Sequence, residues 1–249
     1  MKVSRVAYAV IACSIMSMAA AKASVVVTGT RFIYPENERE VTIRLNNVGE
    51  RPALVQTWVD NGDSGIDSQK HAMPFTVTPP VFRIDPGKGQ TLRLAHTKEP
   101  LPTDRESLYW LNVLEIPSDA KKAKGDQSNA LHLAMRSRLK IFYRPSALKG
   151  EANDAPNSVT WSFALTNDGK QVLAKANNPT PYHINVAHVT VKVAGKTHQS
   201  DGEVIAPFSS REFVFKDLRE VPAANTPVHY DVVNDFGAAL PVVYPSSTK

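Results

Sequence analysis

The sequence predicts an all-β protein made of two β-sandwich domains, and three observations support that fold class. Apolar and polar residues alternate in short segments such as Val41–Leu45, and a period of two is typical of strands with one buried face. Clusters of Gly, Pro, Asn and Asp separate the segments at short intervals, as expected for a sandwich. The polar stretch 146–158 (SALKGEANDAPNS) divides the strands into two series.

The first series contains five segments, one of them with two strands, before a charged loop. They are 24–35 (SVVVTGTRFIYP), 38–50 (EREVTIRLNNVGE), 52–63 (PALVQTWVDNGD), 75–97 (two strands around an Asp-Pro-Gly turn) and 106–117 (ESLYWLNVLEIP). Residues 119–129 (DAKKAKGDQSN) predict a flexible loop because they are charged, small and contain Gly. The second series comprises 159–165, 171–178, 182–195, 196–207, 211–218 and 228–245.

The strand at 131–145 (LHLAMRSRLKIFYRP) is unusual in length. Its odd positions are mostly apolar, whereas its even positions carry His132, Arg136, Arg138, Lys140 and Arg144. This alternation predicts one strand with an apolar face and a basic face. Because a strand usually has about 5–6 residues, the additional length suggests a purpose beyond the domain's own sheet.

Residues 1–23 have the pattern of a secretory signal peptide. Lys2 and Arg5 precede an Ala-rich apolar run that ends in the A-x-A site Ala21–Ala23. A membrane anchor is the weaker alternative, because only about 16 residues lie between the charges and a span needs about 20. A lipoprotein box ending at Cys13 is left open as a second alternative.

Removal of this segment changes what the composition implies. The 249-residue chain has a formal net charge of +5, which falls to +2 without Lys2, Arg5 and Lys22. A charge this small gives no support to a nucleic-acid partner. Cys13 is the sole cysteine, so an exported chain would have no disulfide and would depend on its cores. We therefore expect a signal peptide at 1–23 and domains at 24–145 and 146–249.

Candidate catalytic patterns lack the residues that their chemistry needs. Gly62–Gly65 (GDSG) resembles the surroundings of a serine nucleophile, but no histidine precedes it in the chain as trypsin-like proteases require. Residues 85–91 (DPGKGQT) lack the phosphate-loop spacing and predict a hairpin turn instead. The seven histidines form no metal-binding pattern. The sequence thus predicts a non-enzyme without metal or cofactor.

Several segments together resemble the periplasmic pilus (fimbrial) chaperones of the chaperone/usher family. They are Thr30–Pro35 (TRFIYP), Arg83–Gly87 (RIDPG), Asp104–Val113 (DRESLYWLNV), Leu139–Pro145 (LKIFYRP), Asn178–Tyr182 (NPTPY) and Asn234–Gly237 (NDFG). The resemblance spans essentially all of the chain after residue 23, in order. It implies two immunoglobulin-like sandwiches set as a boomerang, acting in the periplasm without a cofactor.

The resemblance also implies a function and five of its residues. Members of this family complete a pilus subunit by adding their own strand to its sheet, the established example of strand addition, and deliver it to an outer-membrane usher. Leu131, Leu133 and Met135 match the apolar residues of the donor strand. Arg31 and Lys140 match the pair that grips the subunit's C-terminal carboxylate; without the resemblance, each would be interpreted as a solvated strand charge.

Three further residues match the family's interdomain ionic network. They are Glu106, Arg144 and Asp235, an arginine between two carboxylates that would fix the angle between the domains. The segment between Pro117 and Ala130 is short and has no cysteine pair, as in the short-loop branch of the family. Self-association through the exposed strand stays open, and the rival interpretation is a structural or adhesive surface protein with two sandwich domains.

Overall fold

The computed structural model describes residues 24–62, 73–117 and 133–245, and the first sandwich occupies the described residues before 146. Its strands are β1 (Val25–Val27), β2 (Arg31–Pro35), β3 (Val41–Asn47), β4 (Ala53–Asp60), β5 (Phe75–Thr78), β6 (Val81–Ile84), β7 (Gly89–His96), β8 (Ser107–Pro117) and β9 (Met135–Arg144). One sheet has the order β1-β3-β7-β5, and the facing sheet has the order β2-β9-β8-β4-β6. The predicted signal peptide lies outside the described residues.

The first predicted strand, 24–35, is in fact two strands that belong to different sheets. β1 pairs antiparallel with β3, whereas β2 pairs parallel with β9. The chain crosses between the sheets at Thr28–Thr30, where Gly29 has a φ of 106° that favours glycine. This crossing brings Arg31 to the start of β2, beside β9.

The segment 75–97 contains three strands rather than the predicted two. β5 and β6 are separated at Pro79 and Pro80, and they pair with β7 and β4, respectively. The predicted turn at Asp85–Gly87 is present, with Lys88 N–H donating to Asp85 O at 3.1 Å. It connects β6 to β7 across the two sheets, so the expected hairpin is wrong. Local turn residues do not determine which sheet the next strand joins.

The second sandwich contains eight strands and a 3-10 turn at Ala155–Ser158. The strands are β10 (Thr160–Leu165), β11 (Val172–Asn178), β12 (Ile184–Val193), β13 (Lys196–Asp201), β14 (Val204–Ile205), β15 (Ser209–Phe215), β16 (Val228–Val233) and β17 (Ala239–Tyr244). One sheet has the order β10-β11-β15; the other is β13-β12-β16-β17, with β14 also beside β12. The segments 196–207 and 228–245 each divide into two strands.

Each sandwich has its own hydrophobic core. Ile43, Leu92, Leu111 and Ile141 lie in the first core and are almost completely inaccessible to solvent. The second core is a separate cluster that includes Phe213 and Tyr230. The two cores confirm the predicted all-β fold with two sandwich domains. None of the described residues forms a helix long and apolar enough to cross a membrane.

Candidate functional site

Strand β9 has backbone partners on both sides for only half of its length. Its pairing with β8 extends from Met135 to Tyr143, but its pairing with β2 begins only at Lys140. Among the described residues, Met135–Leu139 therefore have a neighbouring strand on one side alone. Unpaired N–H and C=O groups at such an edge can accept another strand.

The apolar side chains of this half-paired segment are exposed. The exposed fractions of Leu133 and Met135 are 57% and 50%, whereas those of Leu139 and Ile141 on the same strand are 8% and 0%. Met135, Leu139 and Ile141 have odd numbers and so share one face of β9, and Leu133 precedes the strand at an odd position. The core covers that face only from Leu139 onward. Leu131, the third predicted donor residue, lies outside the described residues.

The two predicted anchor residues are brought together by the parallel pairing of β2 and β9, in which Arg31 is the direct partner of Lys140. Both side chains reach the second domain. An Arg31 guanidinium nitrogen (NH1) donates to Val233 O at 2.8 Å, and Lys140 Nζ donates to Asn185 Oδ1 at 2.8 Å. The cleft between the domains thus contains two adjacent cations.

This pair has unused capacity to bind an anion. Arg31 Nε is buried and has no hydrogen-bond partner among the described residues. Burial, with repulsion from Arg31, lowers the pKa of Lys140 to about 8. Burial also lowers the pKa of Arg31, although attraction by Asp235 offsets part of that effect. A carboxylate in the cleft would relieve the repulsion between the two cations.

We expect Lys140→Met to stabilise the folded chain at pH 7. The pKa of Lys140 is about 8 in the folded chain and about 10.4 when unfolded. The unfolded state therefore binds more protons between these pH values, and stability rises with pH across that range. The substitution should raise the free energy of unfolding by about 1–2 kcal/mol at pH 7, after allowance for solvent screening.

Urea unfolding at pH 7 and pH 9.5 measures this effect. The gain from Lys140→Met should shrink at the higher pH, while Lys175→Met, at an exposed lysine of β11, should show no such change. A pH-independent difference would mean that burial does not disfavour the Lys140 charge.

The three residues of the predicted ionic network are in direct contact. Arg144 Nε lies 2.7 Å from Glu106 Oε1, and its other two nitrogens lie 2.7 and 3.0 Å from the Asp235 carboxylate oxygens. The hydrogen bonds and charges of both acids raise the pKa of Arg144, although burial alone would lower it. The bidentate contact with Asp235 fixes orientation as well as distance.

Further contacts connect the network to the second domain. Glu106 Oε2 accepts the backbone N–H of His183 at 2.8 Å and lies 3.3 Å from His183 Nδ1. Gly237, two residues after Asp235, has a φ of 85°, and a Cβ there would lie 2.7 Å from Thr30 Oγ1. Sequence reasoning missed Asn185 and His183 as cleft residues. The sequence feature that could have identified them is a polar side chain within the apolar strand β12 (Asn185) or directly before it (His183).

We expect Asp235→Ala to loosen the angle between the domains without unfolding either one. The substitution removes both hydrogen bonds between Arg144 and Asp235, which lies in the turn between β16 and β17. Arg144 keeps its contact with Glu106. Small-angle X-ray scattering should show a broader distribution of interdomain distances. Asp231→Ala, which removes a carboxylate that contacts His188 within the second domain, is the control. An unchanged distribution for Asp235→Ala would exclude a role in setting the angle.

The fold and the cleft define a class of two-domain binding protein that presents an open strand edge. Comparison with known families identifies it. Residues 24–149 match the model described as "Pili and flagellar-assembly chaperone, PapD N-terminal domain", and residues 154–243 match "Pili assembly chaperone PapD, C-terminal domain". Together the two models cover most of the chain.

Individual relatives agree with the family match. The chain is 41% identical over 219 residues to the probable fimbrial chaperone YadV of Escherichia coli K12, covering 88% of each chain. The YadV crystal structure has a TM-score of 0.75, with 37% identity and coverage of 89% of this chain and 98% of that chain. The Salmonella enterica complex of SafA pilin with the SafB chaperone has a TM-score of 0.73, 29% identity and coverage of 91% and 98%. This chain belongs to the pilus assembly chaperone family.

Proposed function

We propose that this pilus assembly chaperone acts in the periplasm by adding part of β9 to the sheet of one pilus subunit. The half-paired edge of β9 beside Arg31 and Lys140 is the observation that carries the proposal. The chaperone then passes the subunit to an outer-membrane usher. The SafA–SafB complex supports a pilus subunit as the partner, because it contains a relative bound to a pilin.

The position of β2 determines how a guest strand would run. Because β2 occupies the edge of β9 only from Lys140 onward, a guest has space beside Met135–Leu139 and would meet β2 at Arg31. A guest whose C-terminal carboxylate reaches the two cations must end at that point. It therefore runs parallel to β9 and in line with β2.

The side chains of the donor segment would provide apolar contacts for the guest. The proposed donor residues occupy every second position and would share one face of the strand: Leu131, Leu133 and Met135. They would fill a groove that a subunit has because its own sheet lacks one strand. Burial of each side chain would contribute roughly 1.5–3 kcal/mol. The carboxylate contact with Arg31 and Lys140 would fix the register, since a shift of one residue reverses the face that each side chain occupies.

The domain arrangement follows from the same proposal. Domains at 24–145 and 146–249 would meet at the cleft, with the Glu106–Arg144–Asp235 network setting their angle. We also propose that the chain belongs to the short-loop branch of the family, because the segment that precedes Leu131 is short. Membership of the chaperone family argues against the alternative of a structural or adhesive surface protein.

Co-expression with a pilus subunit from the same organism tests the proposal. The subunit should be degraded when expressed alone and should co-purify at one to one with the chaperone. Size-exclusion chromatography of the unbound chain in the same experiment would detect self-association. A subunit that accumulates equally without the chaperone would contradict the proposed activity.

Export can be examined separately from binding. Periplasmic extraction followed by N-terminal sequencing should recover a chain that begins at Ser24, because cleavage is proposed after Ala23. Mass spectrometry of the intact protein would also detect the alternative, a lipid on Cys13. Recovery from the cytoplasmic fraction with residues 1–23 attached would exclude the proposed location.

A further inference from the structure

The basic face of β9 contacts two tryptophans, Trp110 on the adjacent strand β8 and Trp58 on β4, the next strand of the sheet. Arg136 lies over the ring of Trp58, with 5.0 Å between the guanidinium carbon and the ring centroid. Arg138 lies over the ring of Trp110 at 4.8 Å, and Lys140 Nζ lies 5.6 Å from the same ring. Each contact places a cation on the face of an aromatic ring, where the ring quadrupole attracts it.

A buried carboxylate at the end of β4 completes this arrangement. Asp60, whose side chain has 0% exposure, lies 2.8 Å from a guanidinium nitrogen of Arg138 and 3.2 Å from one of Arg136. Its Oδ2 also accepts a hydrogen bond from the Asn112 amide at 2.7 Å. Asn112 Oδ1 in turn accepts two hydrogen bonds from Arg136, at 2.9 and 2.7 Å.

Asp60 remains ionised despite its burial. Burial alone would raise the pKa of this carboxyl, but hydrogen bonds from Gly62 N–H, Asn112 and Arg138 hold it below its usual value. Removing a buried carboxylate's partners is costly. The charge of Asp60 thus favours the position of Arg138 on β9, and Arg136 lies within 3.2 Å of the same carboxylate.

The donor segment has little else to hold it. Leu133 and Met135 are exposed, and the backbone of Met135–Leu139 has a partner strand on the β8 side alone among the described residues. A strand with few buried apolar contacts and one open edge is normally prone to local opening. The contacts of Arg136 and Arg138 are on the opposite face and leave the apolar side chains accessible.

We propose that Asp60 is a positioning residue that, with Asn112, Trp58 and Trp110, holds the donor segment of β9 extended before a subunit binds. The proposal rests on the proposed function of β9 as a donor strand. A segment that is already extended loses less conformational entropy on binding, so capture is faster and tighter. Because Arg138 and Lys140 share Trp110, the same contacts also align the donor segment with the anchor.

Hydrogen exchange in the unbound full-length chain tests this role without a subunit. Asp60→Asn should increase amide exchange in 133–139 by about tenfold, since charge-assisted hydrogen bonds to both arginines are lost. Exchange in 141–144 and in the second domain should stay unchanged. Asp85→Asn is the matched control, because it removes an exposed carboxylate paired with Arg83 in the same domain and does not touch β9.

A milder variant keeps the test open if Asp60→Asn fails to fold. Arg136→Gln leaves Asp60 paired with Arg138 and should give a smaller increase confined to the same segment. Faster exchange throughout the first domain would mean that Asp60 stabilises the whole domain. Unchanged exchange in 133–139 would mean that Asp60 does not hold this part of the chain in place. Either result would overturn the proposal.

Capture of a co-expressed pilus subunit separates this inference from the proposed function. If the unaltered chain captures the subunit, Asp60→Asn should reduce the co-purified amount several-fold, and Asp85→Asn should not. Failure of the unaltered chain to capture any subunit would count against the proposed function alone. Normal capture by Asp60→Asn, despite faster exchange in 133–139, would overturn the positioning role.

Discussion

Lys140→Ala should strongly reduce capture of pilus subunits while the chain remains folded. The substitution removes one of the two cations proposed to bind the subunit's C-terminal carboxylate, and charge-assisted hydrogen bonds contribute about 1.5–3 kcal/mol. Affinity should therefore fall about 10- to 100-fold. Folding should survive because the buried charge of Lys140 is itself unfavourable, as the pKa of about 8 indicates.

The amount of subunit that co-purifies from the periplasm measures this loss. Arg31→Ala should have a similar effect, since Arg31 is the direct strand partner of Lys140 and the other cation of the pair. Lys175→Ala, on the outer surface of β11, should capture normally and controls for a general effect of charge. Circular dichroism would verify the fold of each variant. Unchanged capture by Lys140→Ala would disprove the assignment of the anchor.

Leu133→Glu should reduce capture at least as strongly. A buried carboxylate in an apolar groove without a partner is highly unfavourable, and the lost leucine forfeits a further 1.5–3 kcal/mol, roughly. The unbound chain should tolerate the change because the exposed fraction of Leu133 is 57%. A competition experiment, in which both chaperones are co-expressed with a limiting amount of subunit, measures the difference directly.

Ala134→Glu is the matched control for this prediction. Ala134 is exposed and is the next residue of the same segment, so in an extended donor strand its side chain would point to the face opposite Leu133. Equal losses from both variants would show that the assignment of faces is wrong. Arg138 is unsuitable as a control, because Arg138→Glu would place a second carboxylate against buried Asp60.

The sequence predicted the fold class because strand periodicity is a local signal. It failed at sheet assignment, which depends on pairing between distant segments. Nothing within Val25–Pro35 shows that the first part joins β3 while the second part joins β9. The same limitation explains why the turn at Asp85–Gly87 was interpreted as a hairpin although it connects two sheets.

The site was predicted unevenly for a similar reason. The anchor and network residues came from motif resemblance, and the structure brings Glu106, Arg144 and Asp235 into contact. Asp60 and Asn112 were missed because a polar residue within a strand gives no sign of whether it is buried. Only the three-dimensional arrangement shows that both are inaccessible and that their partners are on β9.

The half-paired edge and the proposed anchor lie along one strand, and this fixes a length. At about 3.3 Å per residue, Met135 lies about 16 Å from Lys140 along β9, and Leu133 would lie about 23 Å away if the strand continued to it. A guest that is held by its final carboxylate must offer its cavities at those distances from its own last residue. The chaperone would then bind subunits of unrelated sequence, provided that their cavities lie at these distances from the C-terminus. A peptide tag fused to the C-terminus of a subunit would prevent its binding.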